Sequence, residues 1–276
     1  MYNDSFKERY NLAPIAISEN NNGADTAAHI HAELELLYVT SGEWCVSVSD
    51  KSYTARVGDI IVVNPYEVHS VKRTSEMPAT TLCICADPRL LADKSLAGEL
   101  CSGDKAALGQ VTADSEVAPI LRDYFCRMYR AVEEKLPTLL LESSAYLSLI
   151  LSALTLHGYV SSMHKKGRSE SFFSKIQDYL SLHYSEAITS EDVARELFFT
   201  QSYFCRLFKR QFGTSFLDYL SLYRISKAKG LLENPEAKVS EVAAAVGFMD
   251  SAYFSRCFKR LVGISPSEYK KYQYSY

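Results

Sequence analysis

The chain changes its hydrophobic rhythm twice. From Leu34 to Cys85 apolar residues fall in short runs dense in Val, Ile, Thr, Tyr and Trp. The runs begin near Leu34, Trp44, Ser52, Asp59 and Val68, and Ser41-Gly42, Asp50-Lys51 and other Gly, Asn and Pro positions separate them. Branched and aromatic residues suit a pleated surface, and turn residues at this interval predict hairpins. The expectation is an antiparallel β-barrel or jelly roll.

From Val117 the period becomes helical. Ile120, Leu121, Tyr124, Phe125, Met128 and Val132 make one stripe, and Pro137 breaks it. A second helix follows from Leu139 to Tyr159. It is apolar around much of its circumference, so it must bury against the barrel or against a second copy of the chain. Residues 161–170 are polar and read as a linker. The predicted fold is therefore multidomain α and β. It has an antiparallel β-barrel or jelly roll over 1–115, a helical pair for dimerisation over 116–162, a linker over 163–170 and an all-α domain over 171–276.

In the last of these segments one pattern occurs twice. Ser202 to Tyr219 reads SYFCRLFKRQFGTSFLDY, and Ala252 to Tyr269 reads AYFSRCFKRLVGISPSEY. Nine of the eighteen positions are identical under a fifty-residue shift. The shift also pairs Ser190-Glu191 with Ser240-Glu241, Ala194 with Ala244 and Phe198 with Phe248. Each copy predicts a short helix, a turn and a second helix, over about 188–213 and 238–263. Thr189 or Ser190 caps the first helix of the first copy, Thr200 caps the second, and Gly213 closes it. In the second copy Ser240, Asp250 and Gly263 take these roles. Tyr203, Phe204, Leu207 and Phe208 form one buried stripe, and Tyr253, Phe254, Cys257 and Phe258 the other. Ala194 and Ala244 are small enough to let two helices cross closely.

A short helix, a tight turn and a basic amphipathic helix make the unit that lays its second helix in the major groove of duplex DNA. The positions left outside are Gln201, Ser202, Cys205, Arg206, Lys209 and Arg210, then Ser251, Ala252, Ser255, Arg256, Lys259 and Arg260. Residues 216–233 between the copies predict one helix, ended by Asn234-Pro235. Its length of roughly 27 Å approaches the ~34 Å of one DNA turn.

Charge agrees with this division. Residues 1–170 carry 16 Lys and Arg against 22 Asp and Glu, whereas residues 171–276 carry 14 against 11. The net −3 thus hides a mildly basic C-terminal part suited to phosphate. Met1 to Tyr10 is polar, which predicts no signal peptide. No run of eighteen apolar residues occurs, which predicts no membrane span. The seven cysteines lack Cys-x-x-Cys spacing, so reduced thiols in a cytoplasmic protein are expected. A redox sensor on Cys45, Cys83 or Cys85 is the alternative.

The region from about Phe172 to Lys271 resembles the DNA-binding domain of the AraC/XylS family of bacterial transcription regulators. The residues that carry the likeness are the first repeat, the segment YRISKAKGLLEN, and VSEVAAAVGFMDSAYFSRCFKRLVGISPSEYKK, with Gly247-Phe248, Tyr253-Phe254, Phe258-Lys259, Gly263, Pro266 and Tyr269. The resemblance implies a homodimeric regulator, mostly an activator acting with RNA polymerase. It also implies base contacts by Gln201, Ser202, Cys205, Arg206, Ser251, Ala252, Ser255 and Arg256. The four cations Lys209, Arg210, Lys259 and Arg260 are expected on phosphate.

In the front region His29, His31, Glu35 and His69, spaced from Gly23, Gly42 and Gly58, resemble the two cupin motifs, which hold a metal in enzymatic members. The second motif departs from the pattern. Asn64 stands where proline is usual, Glu67 replaces the usual turn glycine arrangement, and the final Asn is absent. The stretch from Gly58 to Ser70 is also similar to AraC-type effector domains, where the barrel usually holds a small molecule, often a sugar, without a metal. Three readings stay open: a polar effector bound by these four residues, a divalent metal on the same four, or plain barrel-mouth histidines. Trp44 is either a stacking surface for a sugar or a core residue. No catalytic residue and no cofactor are expected. A metal-dependent cupin enzyme fused to a DNA-binding domain, or a regulator without an effector, are the alternatives.

Overall fold

The computed structural model describes residues 15–20, 25–49, 51–74, 78–162 and 172–273. Expectations resting on Met1 to Tyr10, Gly23, Asp50 and the linker 163–170 lie outside the described residues. The chain divides into two compact units, Pro14–Ser171 and the helices from Phe172 onward.

The first unit is built on two facing antiparallel sheets. Strands β1 (Ile15–Asn20), β8 (Thr80–Ala86), β3 (Leu34–Ser41), β6 (Ile60–Val63) and β10 (Gln110–Val111) form one, in that order. Strands β2 (Thr26–His29), β7 (His69–Arg73), β4 (Glu43–Val48) and β5 (Lys51–Arg56) form the other. Between the sheets lie Leu37, Val39, Ile61 and Val63 from the first and Trp44, Val46, Val48, Ala55 and Val71 from the second.

Alternate residues of the five-stranded sheet point the other way. Leu34, Leu36, Ile60, Val62 and Ile84 share a second core with two helices, α2 (Ala118–Glu133) and α3 (Leu139–Leu156). Both faces of this sheet are therefore covered, and β6 is buried at every position instead of alternating. Helix α1 (Lys94–Ser102) and strand β9 (Lys105–Ala107) were not anticipated from the sequence. Strand β11 (Val160–Ser162) pairs with β9, so the chain beyond α3 returns to this unit.

Helix α3 is long and apolar enough to cross a membrane by length and composition. Its Leu147, Ile150, Leu151 and Leu154 are buried against the sheet. Leu141, Leu149 and Leu156 on its other side are exposed. On α2 the core side is Leu121, Phe125, Met128 and Ala131, and Ile120 is exposed.

The second unit contains α4 (Phe172–His183), α5 (Ser190–Glu196), α6 (Gln201–Phe212), α7 (Phe216–Leu231), α8 (Val239–Ala245), α9 (Ser251–Val262) and α10 (Pro266–Gln273). Around the first repeat Phe172, Phe204, Phe208, Phe212, Phe216 and Tyr219 pack ring against ring, with centroids 4.1–6.4 Å apart. Around the second, Phe248, Phe254, Phe258 and Tyr269 join Ile225, Leu232, Val242, Ala243 and Val246. Helix α7 belongs to both clusters, with Tyr219 in one and Ile225 and Ala228 in the other. It has 16 residues, or about 24 Å, and Leu231 near its end is exposed rather than buried.

Candidate nucleic-acid interface and effector site

In the first repeat Thr189 caps α5 reciprocally. Its hydroxyl accepts from the Asp192 N–H, and the Asp192 carboxylate accepts from the Thr189 N–H. The Thr189 hydroxyl, which also donates to Asp192 Oδ2 at 2.6 Å, and then the Thr189 N–H hold the Asp192 carboxyl below its usual range. Thr200 caps α6 through the Tyr203 N–H, and Gly213, at φ 68°, ends it. In the second repeat Asp250 caps α9 through the N–H groups of Ala252 and Tyr253, and Gly263, at φ 90°, ends it. Helix α8 starts after Lys238 with no side-chain cap. Ser240 is the second residue of α8, two positions past the cap.

That displacement reaches further. The second helices α6 and α9 are related by fifty positions, but the first helices α5 and α8 are related by forty-nine. The buried pair Val193-Ala194 corresponds to Val242-Ala243, and Ala244 is exposed. Phe199 N–H donates to Ala194 O as Phe248 N–H donates to Ala243 O. The turn of the second repeat holds one additional residue, Met249, which is 92% exposed. At the sharp point of the turn the left-handed residue is Phe198 in the first repeat, at φ 60°, and Gly247 in the second, at φ 86°.

The two second helices bury matched faces: Phe204, Phe208 and Phe212 on α6, and Phe254, Cys257, Phe258 and Val262 on α9. Gln201, Ser202, Cys205, Arg206, Lys209 and Arg210 are exposed, as are Ser251, Ala252, Arg256, Lys259 and Arg260. Ser255 is half-buried and its hydroxyl donates to Ser251 O. Gln201 Nε2 donates to Ser190 Oγ at 3.1 Å, tying the two helices of the first repeat together. Arg260 faces Asp218 of α7 at 3.7 Å.

Tyr203 and Tyr253 do not belong to the buried stripes. They are 45% and 48% exposed and stand on the same side as the candidate base-reading residues. The Arg256 guanidinium lies 5.9 Å from the Tyr253 ring centre. A tyrosine at the first turn of a helix fits the apolar stripe by spacing alone. Only the approach of the preceding helix decides which side of it is covered.

In the first unit the structure brings four expected residues together. His29 ends β2, His31 lies between strands, Glu35 is on β3 and His69 opens β7. The backbone breaks between His29 and Leu34, so common parity along one strand does not explain the convergence. His29 pairs with His69 in the four-stranded sheet, and Glu35 faces them from the five-stranded sheet. Ring centroids are 4.1 Å apart for His29–His69 and 4.8 Å for His31–His69. His31 Nε2 lies 2.8 Å from Glu35 Oε2. His69 Nε2 lies 2.9 Å from the same oxygen but out of line for a hydrogen bond. Potential ligand atoms of the four residues all fall within 4.8 Å of one another, a set able to hold a metal ion.

The connection from β6 to β7 supports this group. Tyr66, at φ 64°, donates its N–H to His31 O. Asn64, at the position where proline was expected, exchanges two hydrogen bonds with the Ala107 backbone and donates to Glu67. These bonds give the departure from the cupin pattern a local function, since they fasten the turn that presents His69.

Cys83 and Cys85 join the group, which the sequence did not suggest. Cys85 pairs with Glu35 across the ladder. The Cys83 thiol donates to Glu35 Oε1 at 3.1 Å and lies 3.7 Å from Cys85 Sγ. The Cys85 contact favours the Cys83 thiolate, but burial and the Glu35 carboxylate outweigh it and push the thiol up to about 11. Burial would raise the Glu35 carboxyl, yet His69 and His31 hold it well below the usual carboxylate range. Burial works against charge on His31, but Cys85 and Glu35 keep its pKa well above the usual imidazole value. Trp44 is not part of this group. It is fully buried in the apolar cluster between the sheets and donates its indole N–H to Ser41 O.

Residues 11–150 match the family described as AraC-like ligand binding domain, and residues 193–272 match one described as helix-turn-helix domain. The chain is 24% identical over 228 residues to the uncharacterized HTH-type transcriptional regulator YdeC of Bacillus subtilis (strain 168), covering 81% of this chain and 78% of that one. It is 27% identical over 220 residues to the uncharacterized HTH-type transcriptional regulator YdiP of Escherichia coli (strain K12), covering 77% and 70%. Among solved structures, ToxT from Vibrio cholerae O395 is similar at 17% identity and TM-score 0.41, covering 95% of this chain and 98% of that one. A ligand-binding double sheet followed by two helix-turn-helix units makes this chain a member of the AraC family of DNA-binding transcription regulators.

Proposed function

We propose that the protein is a homodimeric, cytoplasmic transcription regulator, not an enzyme, that reads promoter DNA with α6 and α9 under control of a ligand in the barrel. The observation that carries the reading is the matched pair of capped helices. Each buries an aromatic face and exposes an Arg-x-x-Lys-Arg series, Arg206-Lys209-Arg210 and Arg256-Lys259-Arg260. Helix α7 sets their separation at a length approaching one DNA turn, which suits two successive major grooves. Gln201, Ser202, Cys205, Arg206, Ser251, Ala252, Ser255 and Arg256 are assigned to bases, with Tyr203 and Tyr253 beside them. Lys209, Arg210, Lys259 and Arg260 are assigned to phosphates. Selection of binding sites from a random duplex library, followed by salt titration, tests this. Replacing all four phosphate-facing cations should flatten the log–log salt slope by up to about 0.9 for each phosphate no longer neutralised. An unchanged slope places them off the DNA.

Dimerisation is assigned to α3. Leu141, Ala145, Leu149 and Leu156 recur at near-heptad spacing on its exposed side, which suits a second copy of the same helix. Leu149→Asp should convert a dimer to a monomer in sedimentation, with the barrel still folded. The working division is sensor barrel, helical pair, linker 163–170 and DNA-binding region. Recruitment of RNA polymerase, and hence activation, follows the resemblance to the family.

The group of His29, His31, Glu35 and His69 is assigned to the ligand, a small molecule of carbohydrate type being the first class to screen. The same four residues also support a second reading, a metal-dependent cupin activity. Turnover of a substrate by the metal-loaded protein would favour the enzyme. A ligand that alters DNA affinity without being consumed favours the regulator.

A further inference from the structure

We infer that strand β9 and the side chain of Asn64 link the ligand group of the barrel to the stretch of chain that leads to the DNA-binding unit, and that this link carries the regulatory signal. The inference rests on reading the protein as a DNA-binding regulator with its ligand at His29, His31, Glu35 and His69.

The turn Asn64–Glu67 touches the ligand group at two points. Tyr66 donates its N–H to His31 O at 2.9 Å. His69 Nδ1 lies 3.0 Å from Glu67 O, and since a carbonyl only accepts, the ring donates. Asn64 braces the turn from within, giving its N–H and its Nδ2–H to Glu67 Oε2 at 2.9 and 3.0 Å. Tyr66 is buried and stands at φ 64°, where a side chain of its size is strained. Such a residue persists while its surroundings hold it, so the turn has a relaxed conformation to move to. A ligand that displaces His31 or His69 acts directly on that balance.

The other side of Asn64 holds β9. Ala107 N–H donates to Asn64 Oδ1 at 2.8 Å, and Asn64 Nδ2 donates to Ala107 O at 3.0 Å. Successive peptide groups of a strand point to opposite edges. Leu108 N–H goes to Tyr159 O at 2.7 Å, on the edge that faces β11. Ala107 therefore faces away from β11, and the Asn64 amide stands where a further strand would lie. Strands β9 and β11 form a two-stranded sheet separate from the two large ones. A ribbon of two short strands has little stability of its own, so its seat depends on what fastens it. Ala107 pairs with Val160, Ala106 with Ser161 and Lys105 with Ser162. Residues 163–171 separate Ser162 from Phe172, the first residue of α4.

The path from the histidines to the last strand of the first unit is thus continuous: His31 and His69, the turn, the Asn64 amide, Ala107 and β11. Asn64 is buried, and a buried amide that loses its partners is costly, so the turn and β9 move together or not at all. A strained turn keeps β11 seated. A relaxed turn withdraws the amide from Ala107 and releases β11. Release adds Val160–Ser162 to the free chain before α4. In a dimer, a longer tether changes the effective concentration of one DNA-binding unit beside the other, and hence the affinity for a two-site promoter.

The test is hydrogen exchange, read by mass spectrometry, on the full chain with and without a duplex selected from a random library. Coupling is reciprocal, so DNA must change the turn if the turn changes DNA binding. Exchange over 64–69 and over 105–108 should shift in the same sense by at least about fivefold, the lower end of ordinary coupling between sites. Ser161→Pro removes an N–H from β11 and changes no ligand residue. Asn64→Ala removes the amide that holds Ala107. Each variant should still bind the duplex, and in each the turn should lose its response to DNA. Circular dichroism checks folding, and should one variant fail to fold, the other decides. A response of the turn that survives in a folded variant overturns the link. A wild-type chain that binds the selected duplex with an unchanged turn also overturns it and leaves the regulator reading standing. A chain that selects no duplex loses the regulator reading, and the link with it.

Discussion

The two helix-turn-helix units have one architecture but place their local stability at opposite ends of the first helix. The first unit begins on the Thr189–Asp192 capping box and turns through Phe198, an aromatic residue held at φ 60° with 96% of its surface exposed. The second begins at uncapped Lys238 and turns through Gly247, which occupies the same conformation without side-chain strain. A strong cap accompanies a poor turn residue in one copy, and a good turn residue accompanies a missing cap in the other. The exchange shows that a repeat preserves the path of the chain more closely than the residues that secure it.

Gly247 has a second constraint that Phe198 lacks. A Cβ at position 247 would lie 2.7 Å from Ser185 O and 2.9 Å from Tyr184 O, both backbone atoms. That backbone is held by Arg224 of α7, which donates to Tyr184 O and Glu186 O while its guanidinium lies 5.7 Å from the Phe248 ring centre. The carbonyls cannot withdraw without breaking these bonds. Gly247→Ala is the largest expected effect, a loss of about 3 kcal/mol in urea denaturation of the C-terminal unit, since left-handed strain and the clash add. A loss below about 1 kcal/mol would mean that the two turns are equivalent after all.

Function gives the next largest contrast. Arg206→Ala and Arg256→Ala should each weaken binding to a selected site by about 1–3 kcal/mol and relax preference at one base position, in different half-sites. Fluorescence anisotropy on single-base variants of the site measures this. Equal losses on every sequence would assign the affected arginine to phosphate and break the symmetry between the units.

The caps come third. Thr189→Ala should cost about 1 kcal/mol, and Lys238→Ser should gain several tenths to about 1 kcal/mol by supplying the missing acceptor. Urea midpoints of the two variants check both signs. A neutral Thr189→Ala would show that tertiary packing, not the capping box, holds the start of α5.

The smallest effect is expected at Phe198. Phe198→Gly removes about 1–2 kcal/mol of left-handed cost and adds back about 0.5–1 kcal/mol of chain entropy. The net should be a gain between zero and about 1.5 kcal/mol in thermal stability, with its midpoint below about 1 kcal/mol. If stability falls instead, the exposed ring is packed in the folded unit more tightly than its surface suggests.

The sequence alone settled the presence of two reading units, because caps, glycines and aromatic spacing are local signals. It also placed His29, His31, Glu35 and His69 in one constellation. What it misjudged was register. Identities at Ser190 and Ser240, and at Ala194 and Ala244, extended the fifty-residue shift one helix too far, because identity does not record which face is buried. Tyr203 and Tyr253 fit an apolar stripe by spacing, yet the preceding helix leaves them uncovered.

In the barrel, the parity of His29, His31 and Glu35 led to a correct grouping for an incorrect reason. The residues converge because two sheets face each other, not because one strand carries them. The same closure buried Trp44 in the apolar layer, and the pairing of β3 with β8 set Cys85 opposite Glu35; alternation along one strand specifies neither. Turn chemistry, capping and hydrophobic period act over a few residues, so the sequence itself determined where the elements are and what kind of partner they serve. Which side chains meet across sheets and between helices depends on contacts forty or more residues apart, as between Glu35 and Cys83, and only the tertiary structure decided those.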